Sequence, residues 1–320
     1  MFGLKSLLKK TFISFYKKDN KFYTQKQIVK RDKILSQEES ELEEEEFIKF
    51  IKSAFIENTL TYISTIIDSF NQGIVDSCKH NRYRELGINI DNIKILCLKE
   101  YSIFIGLYEL KEFQKENEKF NIDFVFSPYL IIDMNKKTTN NTLYLMIQDS
   151  FVVILIYQNN KPIYSNIYQF KLDEIEDSTK DSDNIDNDDI DSIDDIDDID
   201  DIDSLDDIES LDDIDSLDDA TLNEDEIEDI DEDITPENLE NEILNTKSEI
   251  EILDFFKESI KDYYKNYSSD FLEEIYIFSE DISKKLINDI KDETFLEVKQ
   301  EKIDILTTLN SLALKDVNNV

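Results

Sequence analysis

The most apolar part of the chain is residues 142–165, TLYLMIQDSFVVILIYQNNKPIYS, and it limits what the fold can be. Its longest apolar run, from Leu143 to Tyr157, has about 15 residues and is interrupted by Gln148 and Asp149. Because a membrane-spanning helix needs about 20 consecutive apolar residues, this run is not predicted to span a membrane. The pattern instead predicts three short strands, LYLMIQ, VVILIYQ and PIYSNIYQF, with a turn at NNKP. We expect a three-stranded meander that is buried on at least one face.

The negative charge is concentrated in one segment. Residues 173–246 hold 36 of the 75 acidic residues and one base, Lys180, so the segment carries −35 and the rest of the chain −5. From Ile190 to Leu217 an Ile or Leu recurs at every third position, which fits neither the period of a helix nor that of a strand. Asp favours neither structure and like charges repel, so residues 173–247 are predicted to be a long disordered insertion.

Two functions of this acidic segment remain open at the level of sequence. Its DIDSLDD spacing is similar to that of calcium loops, but those loops need glycine, and none occurs between residues 107 and 320. An electrostatic role is favoured, in which the segment docks a basic protein or repels nucleic acid. The same charge argues against nucleic-acid binding by the whole chain.

Several classes of site lack their usual residues. Only four glycines occur, and no GxGxxG or GxxxxGK[ST] loop is present to cradle a phosphate. Cys78 and Cys97 form no CxxC pair, so we expect reduced thiols with no disulfide or metal role. The one histidine, His80, lies in a loop-like KHNR stretch, which excludes most histidine-dependent catalysis. No metal site is predicted.

Residues 1–36 form a basic segment with ten Lys or Arg and two Asp. Leu4, Leu7, Leu8 and Phe15 are predicted to share one face of a helix. This helix either packs on the fold, which we favour, or makes a weak peripheral contact with an anionic membrane through residues 1–18. KFYTQKQIVKR then alternates as a strand does, and residues 37–56 predict a helix with acids in its first turns.

The remaining elements indicate an α/β fold with mixed sheets. TYISTIIDSF is a strand or a short helix, residues 93–110 predict two strands, and Pro128 marks a strand end or a helix start. After the acidic segment the order is helix (248–267), strand (EEIYIFSE), helix, strand and final helix.

The meander with its NNKPIY turn, followed later by IYIFSEDISKKL, resembles the second domain of actin-like proteins. More narrowly, it is similar to the PilM type of pilus assembly and the GspL type of secretion platform, which serve type IV pili, type II secretion and DNA uptake. The resemblance implies ribonuclease H-like subdomains: a reduced first one over residues 37–120 and a second over 121–172 and 248–316.

The resemblance also locates the nucleotide site. Counting back from NNKPIY, Met146 stands at the family's Asp, Gln148 at its Gly, and Val152 or Val153 at its Thr, while Ser279 and Glu280 stand at two glycines. In the family Asp would hold a metal-bound water, Gly would admit phosphate and Thr would bind it, and none of the residues present can do so.

The acids near these positions would make phosphate binding still less favourable. Asp149, Glu280 and Asp281 would line the old cleft, although they are more simply solvated loop acids, and carboxylates there repel phosphate. We therefore expect no ATPase activity, no catalytic residue and no cofactor.

The function predicted from the sequence is a non-enzymatic cytoplasmic adaptor of a pilus, secretion or DNA-uptake machine. Its partners would be an inner-membrane component or the assembly ATPase, with a basic protein as a partner of the acidic segment. Two alternatives stay open: an actin-like ATPase with an unusual site, and an acidic nucleic-acid mimic or cation-binding module unrelated to actin.

Overall fold

The computed structural model describes residues 8–18, 20–57, 60–138, 140–170, 236–267, 270–279 and 282–319. The chain forms two compact units, of which one comprises Met1–Leu172 with Leu244–Val320 and the other Asp173–Ile243. Most of the acidic segment lies outside the described residues, so its predicted disorder stays a prediction.

The first half of the larger unit contains eight described strands and four described helices. In chain order they are β1 (Lys10–Lys18), β2 (Lys21–Lys30), β3 (Lys33–Leu42), α1 (Glu44–Glu57), β4 (Thr61–Ile66), β5 (Gln72–Val75), α2 (His80–Glu85), β6 (Ile93–Cys97), β7 (Ser102–Gly106), α3 (Leu107–Glu116), β8 (Phe124–Phe126) and α4 (Pro128–Asn135).

These strands form a main sheet with the order β3-β2-β1-β4-β8 and a small sheet with the order β5-β7-β6. In the main sheet β1, β2 and β3 are an antiparallel meander, and β4 and β8 add in parallel to β1. The strands of the small sheet lie between β4 and β8 in the sequence. The last strand of the main sheet, β8, is therefore added only at Phe124.

The second half repeats this arrangement. Its elements are β9 (Thr142–Ile147), β10 (Phe151–Gln158), β11 (Lys161–Gln169), α5 (Pro236–Asn266), β12 (Glu274–Phe278), α6 (Lys284–Thr294), β13 (Glu297–Glu301) and α7 (Ile305–Asn319). The sheet order is β11-β10-β9-β12-β13, with an antiparallel meander followed by two parallel strands. The predicted meander is therefore confirmed, as are the helix–strand alternation after the acidic segment and the α/β class.

Local sequence explains the sharpest turns. Asn159 and Asn160 have φ of 49° and 68°, the left-handed values that a two-residue hairpin needs and that Asn tolerates. Pro162 then lies in β11, an edge strand, where its missing N–H costs no sheet hydrogen bond. Pro128 opens α4 directly after β8, with the Ser127 hydroxyl accepting the Tyr129 N–H, so both predicted roles of this proline hold.

Two predictions for the N-terminal part are wrong. Phe15, assigned to a helix face with Leu4, Leu7 and Leu8, lies in β1, where it is buried, while Leu8 is half exposed and residues 1–7 lie outside the described part. Residues 37–56 are not one helix, because 37–42 belong to β3 and α1 begins at Glu44. His80 also differs from its predicted loop, since it is the first residue of α2.

The sheets place two of the proposed domain boundaries elsewhere. Most of the basic segment 1–36 is not separate, because β1, β2 and the start of β3 lie in the first main sheet. Phe124–Phe126 also belong to the first half, since β8 pairs with β4 and the second sheet begins only at Thr142.

One buried core joins the two halves, and another lies on the opposite face of the second sheet. The joining core combines Phe12 and Val29 of the first sheet with Tyr144, Val153 and Phe278 of the second. The other core packs α5 and α6 against the remaining face of β9, β10 and β12. The second sheet is therefore covered on both faces, which explains its nearly continuous apolar sequence.

Helix α7 returns to the first sheet through buried polar groups. The Asn310 side-chain amide donates to Gln25 Oε1 at 3.0 Å, and Gln25 Nε2 donates to Thr307 Oγ1 at 2.8 Å. Ser14 Oγ donates to the Leu306 carbonyl at 2.9 Å. Such a network fixes the position of a helix because each buried polar group costs free energy if its partner moves away.

We predict that Gln25→Ala lowers the free energy of unfolding by about 2–3 kcal/mol, because it removes the side-chain partner of Asn310, Thr307 and Gln27 inside the core. Urea unfolding followed by circular dichroism measures the change. The exposed Gln114→Ala on α3 is the control and should change stability by less than about 0.5 kcal/mol. Equal effects of the two substitutions would contradict a structural role for the network.

Candidate functional site

The two segments that the sequence assigned to a nucleotide site lie at the same edge of the second sheet. Because β12 runs parallel to β9 with Phe278 opposite Met146, Gln148 and Ser279 both follow strand ends at this edge. Ser279 is buried. Glu280 and Asp281 lie outside the described residues, so their predicted positions beside the cleft have no structural description.

The residues at the positions that the resemblance assigns to metal and phosphate are part of the core. Met146, Val152 and Val153 are fully buried, and Met146 lies opposite Val153 in the sheet. Met146 belongs to the core that joins the two halves, while Val152 faces the core beneath α5. None of these side chains reaches solvent, so none is available to a ligand in the cleft.

The turn that follows β9 is tight and closed by its own backbone. The Gln148 N–H donates to the Phe151 carbonyl at 2.9 Å, and the Phe151 N–H donates back at 3.3 Å. The half-buried Gln148 side chain donates to the Ile147 carbonyl at 2.8 Å. These bonds close the hairpin at Gln148 and Phe151, with Asp149 and Ser150 as its two-residue loop.

Side chains of the turn contact the first half. Asp149 forms an ion pair with Lys18 at 3.1 Å, and the Ser150 hydroxyl donates to Asp68 at 3.0 Å. The side chains of Lys18 and Asp149 are 33% and 54% exposed, so the pair contributes at most about 1 kcal/mol to stability. Its position is informative nonetheless, because it links the two halves at the edge where a nucleotide would have to enter.

The matching turn of the first half was missed from the sequence. Both sheets begin with an antiparallel hairpin, so the β1–β2 turn, Lys18 to Lys21, corresponds to the β9–β10 turn. The resemblance implied a first subdomain over residues 37–120, which begins after this turn. The sequence signal for this turn is Asn20, which lies between the apolar-containing runs TFISFYKK and KFYTQKQ. In the structure Asn20 has a φ of 62°.

A groove of about 530 Å³ opens beside the second turn. It is lined by Asp68, Phe70, Ser150, Ile167, Tyr168, Gln169 and Phe170. The Phe170 N–H donates to the Ser150 carbonyl at 3.0 Å, which holds the end of β11 against the turn. Phe70 is 66% exposed. The lining has one carboxylate and no basic side chain, so it suits an apolar segment better than a polyphosphate.

A second polar cluster lies near α4, away from the turn. Tyr157 donates its hydroxyl to Asp133, which also pairs with Lys136. Burial raises the pKa of the Tyr157 hydroxyl, so it remains a proton donor to the carboxylate. The cluster connects α4 to β10 and leaves no uncompensated charge, so its role is structural.

The cysteines and histidine give no evidence of a metal centre in the described part of the chain. Both cysteines are free thiols, and Cys78 makes long contacts to the carbonyls of Leu98 and Tyr101. A hydrogen bond to Cys78 raises the pKa of the Cys97 thiol. No group of three potential ligands is found among the described residues.

The fold and this edge define the class of protein. Two halves, each with the strand order third-second-first-fourth-fifth, are joined by a common core and face each other through their first hairpins, which is the actin-like arrangement of ribonuclease H-like subdomains. The chain belongs to the family described as a domain of unknown function, DUF8341, whose model matches residues 143–318. A second model, also described as a domain of unknown function, DUF8569, matches residues 8–133.

Solved structures with a similar chain course have low sequence identity. A Bacteroides thetaiotaomicron protein with an actin-like ATPase fold and unknown function is 12% identical, with 100% of this chain and 99% of that one covered and a TM-score of 0.44. The PilM–PilN type IV pilus biogenesis complex is 8% identical, with 90% and 87% covered and a TM-score of 0.45. The ethanolamine utilization protein EutJ from Carboxydothermus hydrogenoformans is 9% identical, with 97% and 93% covered and a TM-score of 0.39. No curated protein matches the sequence.

We predict that Met146→Asp, which introduces the residue that the resemblance implies at this position, destabilises the protein by at least about 3 kcal/mol because it buries a carboxylate in an apolar core. Thermal and urea unfolding measure the loss. The volume-conserving control Met146→Leu should cost less than about 1.5 kcal/mol. A stable Met146→Asp protein would show that this position can open to the cleft.

Proposed function

We propose that this protein is a non-enzymatic adaptor that uses an actin-like fold to bind another protein. The observation that carries the proposal is the β9–β10 turn, where the metal and phosphate positions are occupied by buried Met146 and Val152. The turn is closed by its own hydrogen bonds and linked to the first half by the Lys18–Asp149 pair. An ATPase needs the opposite: accessible carboxylates, a metal and backbone donors aimed at phosphate.

The sequence resemblance supplies the partner class to be tested. We propose that the partner is the cytoplasmic tail of an inner-membrane component, or the assembly ATPase, of a pilus, secretion or DNA-uptake machine, and that the adaptor acts in the cytoplasm at the inner membrane. Among the described residues no helix is both long and apolar enough to cross a membrane. The groove beside Ser150 supports the binding of a short apolar segment, because Phe70 is exposed at its rim.

The enzyme alternative is tested by titrating the full chain with ATP and Mg²⁺ in a calorimeter. We expect no saturable heat up to about 1 mM nucleotide, which corresponds to binding weaker than about −4 kcal/mol. ADP and Lys18→Ala should give the same flat result. Saturable micromolar binding would overturn the adaptor proposal and favour an actin-like ATPase with an unusual site.

The acidic-module alternative is tested by comparing two variants in binding assays with purified cytoplasmic tails of inner-membrane pilus and secretion proteins. Phe70→Asp should abolish tail binding, because it places a charge in the apolar groove, whereas deletion of residues 173–246 should leave it intact. Phe271→Asp, at an 81% exposed position outside this groove, is the matched control. Loss of binding on deletion alone would instead assign partner recognition to the acidic segment.

A further inference from the structure

Four exposed cations are collected at one end of the first sheet. Lys30, Arg31 and Lys33 form the tip of the β2–β3 hairpin, where Lys30 lies opposite Lys33. Lys9 precedes β1, whose first residue lies opposite Val29, so it falls at the same end of the sheet. None of the four makes an ion pair with a residue that the structure describes, and Asp32 in the turn accepts from the Asn318 amide at 2.8 Å. These four residues are called the cationic tip.

Aliphatic side chains flank the cationic tip. Leu8, Ile34 and Leu35 are 48%, 54% and 53% exposed. A bulge explains Leu35: Ile28 lies opposite Ser36 and Val29 opposite Ile34, so Leu35 has no cross-strand partner. Cations and aliphatic side chains therefore share one end of the sheet.

Arg31 occupies this tip at a cost in backbone energy. Its φ is 49° and that of Asp32 is 62°, so both turn residues lie in the left-handed region. Elsewhere among the described residues this conformation is adopted by five asparagines, by Gly87 and by Phe295. Asn and Asp tolerate it better than Arg does, so the choice of Arg31 is unfavourable for the turn itself. Backbone strain that local stability does not explain points to a role for the side chain.

We propose that the cationic tip and its aliphatic neighbours bind the surface of an anionic lipid bilayer. Lys and Arg are attracted to anionic headgroups, and half-exposed Leu and Ile side chains enter the headgroup boundary. This hairpin surface replaces the helical anchor that residues 1–18 suggested, since β1 is the central strand of a sheet. It makes its own contact with the membrane and does not depend on the proposed adaptor partner.

An acidic peptide fits this surface less well. The edge of β3 is open to strand pairing, but beyond the tip this strand carries Glu38, Glu39 and Glu41. An acidic strand lying along β3 would therefore meet like charges over most of its length. A bilayer touches only the tip and avoids them. The acidic segment of the chain would itself be repelled by anionic lipid, so we expect weak binding that falls steeply with salt.

The test is co-sedimentation of the full chain with mixed phosphatidylglycerol–phosphatidylcholine vesicles at low salt. We expect binding to these vesicles and none to pure phosphatidylcholine. Arg31→Glu/Lys33→Glu should weaken binding by about thirtyfold or more, because two basic residues are removed from the surface. Lys111→Glu/Lys115→Glu, with the same charge change on exposed positions of α3, is the matched control and should bind as the parent does.

A single substitution is expected to change vesicle binding and thermal stability in opposite directions. Arg31→Asn should raise the Tm, because Asn accepts the left-handed conformation, and should weaken vesicle binding about fivefold. Equal losses in the two double variants, or equal binding to both kinds of vesicle, would overturn the proposal. So would capture of a poly-glutamate peptide that depends on Arg31 and Lys33 when neither vesicle binds, since that outcome would assign the tip to an acidic peptide.

Discussion

The structure depends on the burial of β10 on both faces. Its residues alternate between two cores, with Val153 and Leu155 facing the core shared by the two halves and Val152 and Ile154 facing the core beneath α5 and α6. A strand that must satisfy two apolar layers cannot also present polar groups to a ligand, because an unpartnered polar group in either layer costs several kcal/mol. The same strand therefore holds the halves together and buries Val152, the residue that the resemblance places at a phosphate position.

This double burial also explains which parts of the fold the sequence could predict. The second half was predicted nearly element by element, because continuous apolar runs and the NNKP turn leave few alternatives. The first half was harder to predict. Most of β3 is exposed, and its second half, QEESEL, lacks the apolar alternation of a strand. Because acids also begin α1, the two elements were predicted as one helix. Sheet pairing with β2 determines its conformation, and single-sequence patterns do not record pairing.

The candidate site shows the same division between what the sequence records and what it does not. Met146, Gln148 and Ser279 lie at one edge of the second sheet, since each stands at or beside a strand end that the sequence marks. The contacts that close this edge were not foreseen. Lys18 and Asp68 approach Asp149 and Ser150 only through the pairing of two halves that are far apart in the chain. Such contacts depend on tertiary geometry, which the local sequence leaves open.

Loss of the nucleotide site would favour folding. An Asp at the position of Met146 would have to be held ionised beside a core, and a Gly at Gln148 would loosen the turn by increasing backbone entropy in the unfolded chain. Met146 and Val152 instead add apolar contact and stabilise the sheet, which is the exchange of activity for stability that the proposed loss of the site would bring. A fold changed in this way keeps its outer surfaces free for binding. At the hairpin tip Arg31 has a left-handed φ of 49°, so under the proposed membrane role the exchange would run the other way, with local stability given up to hold a charge.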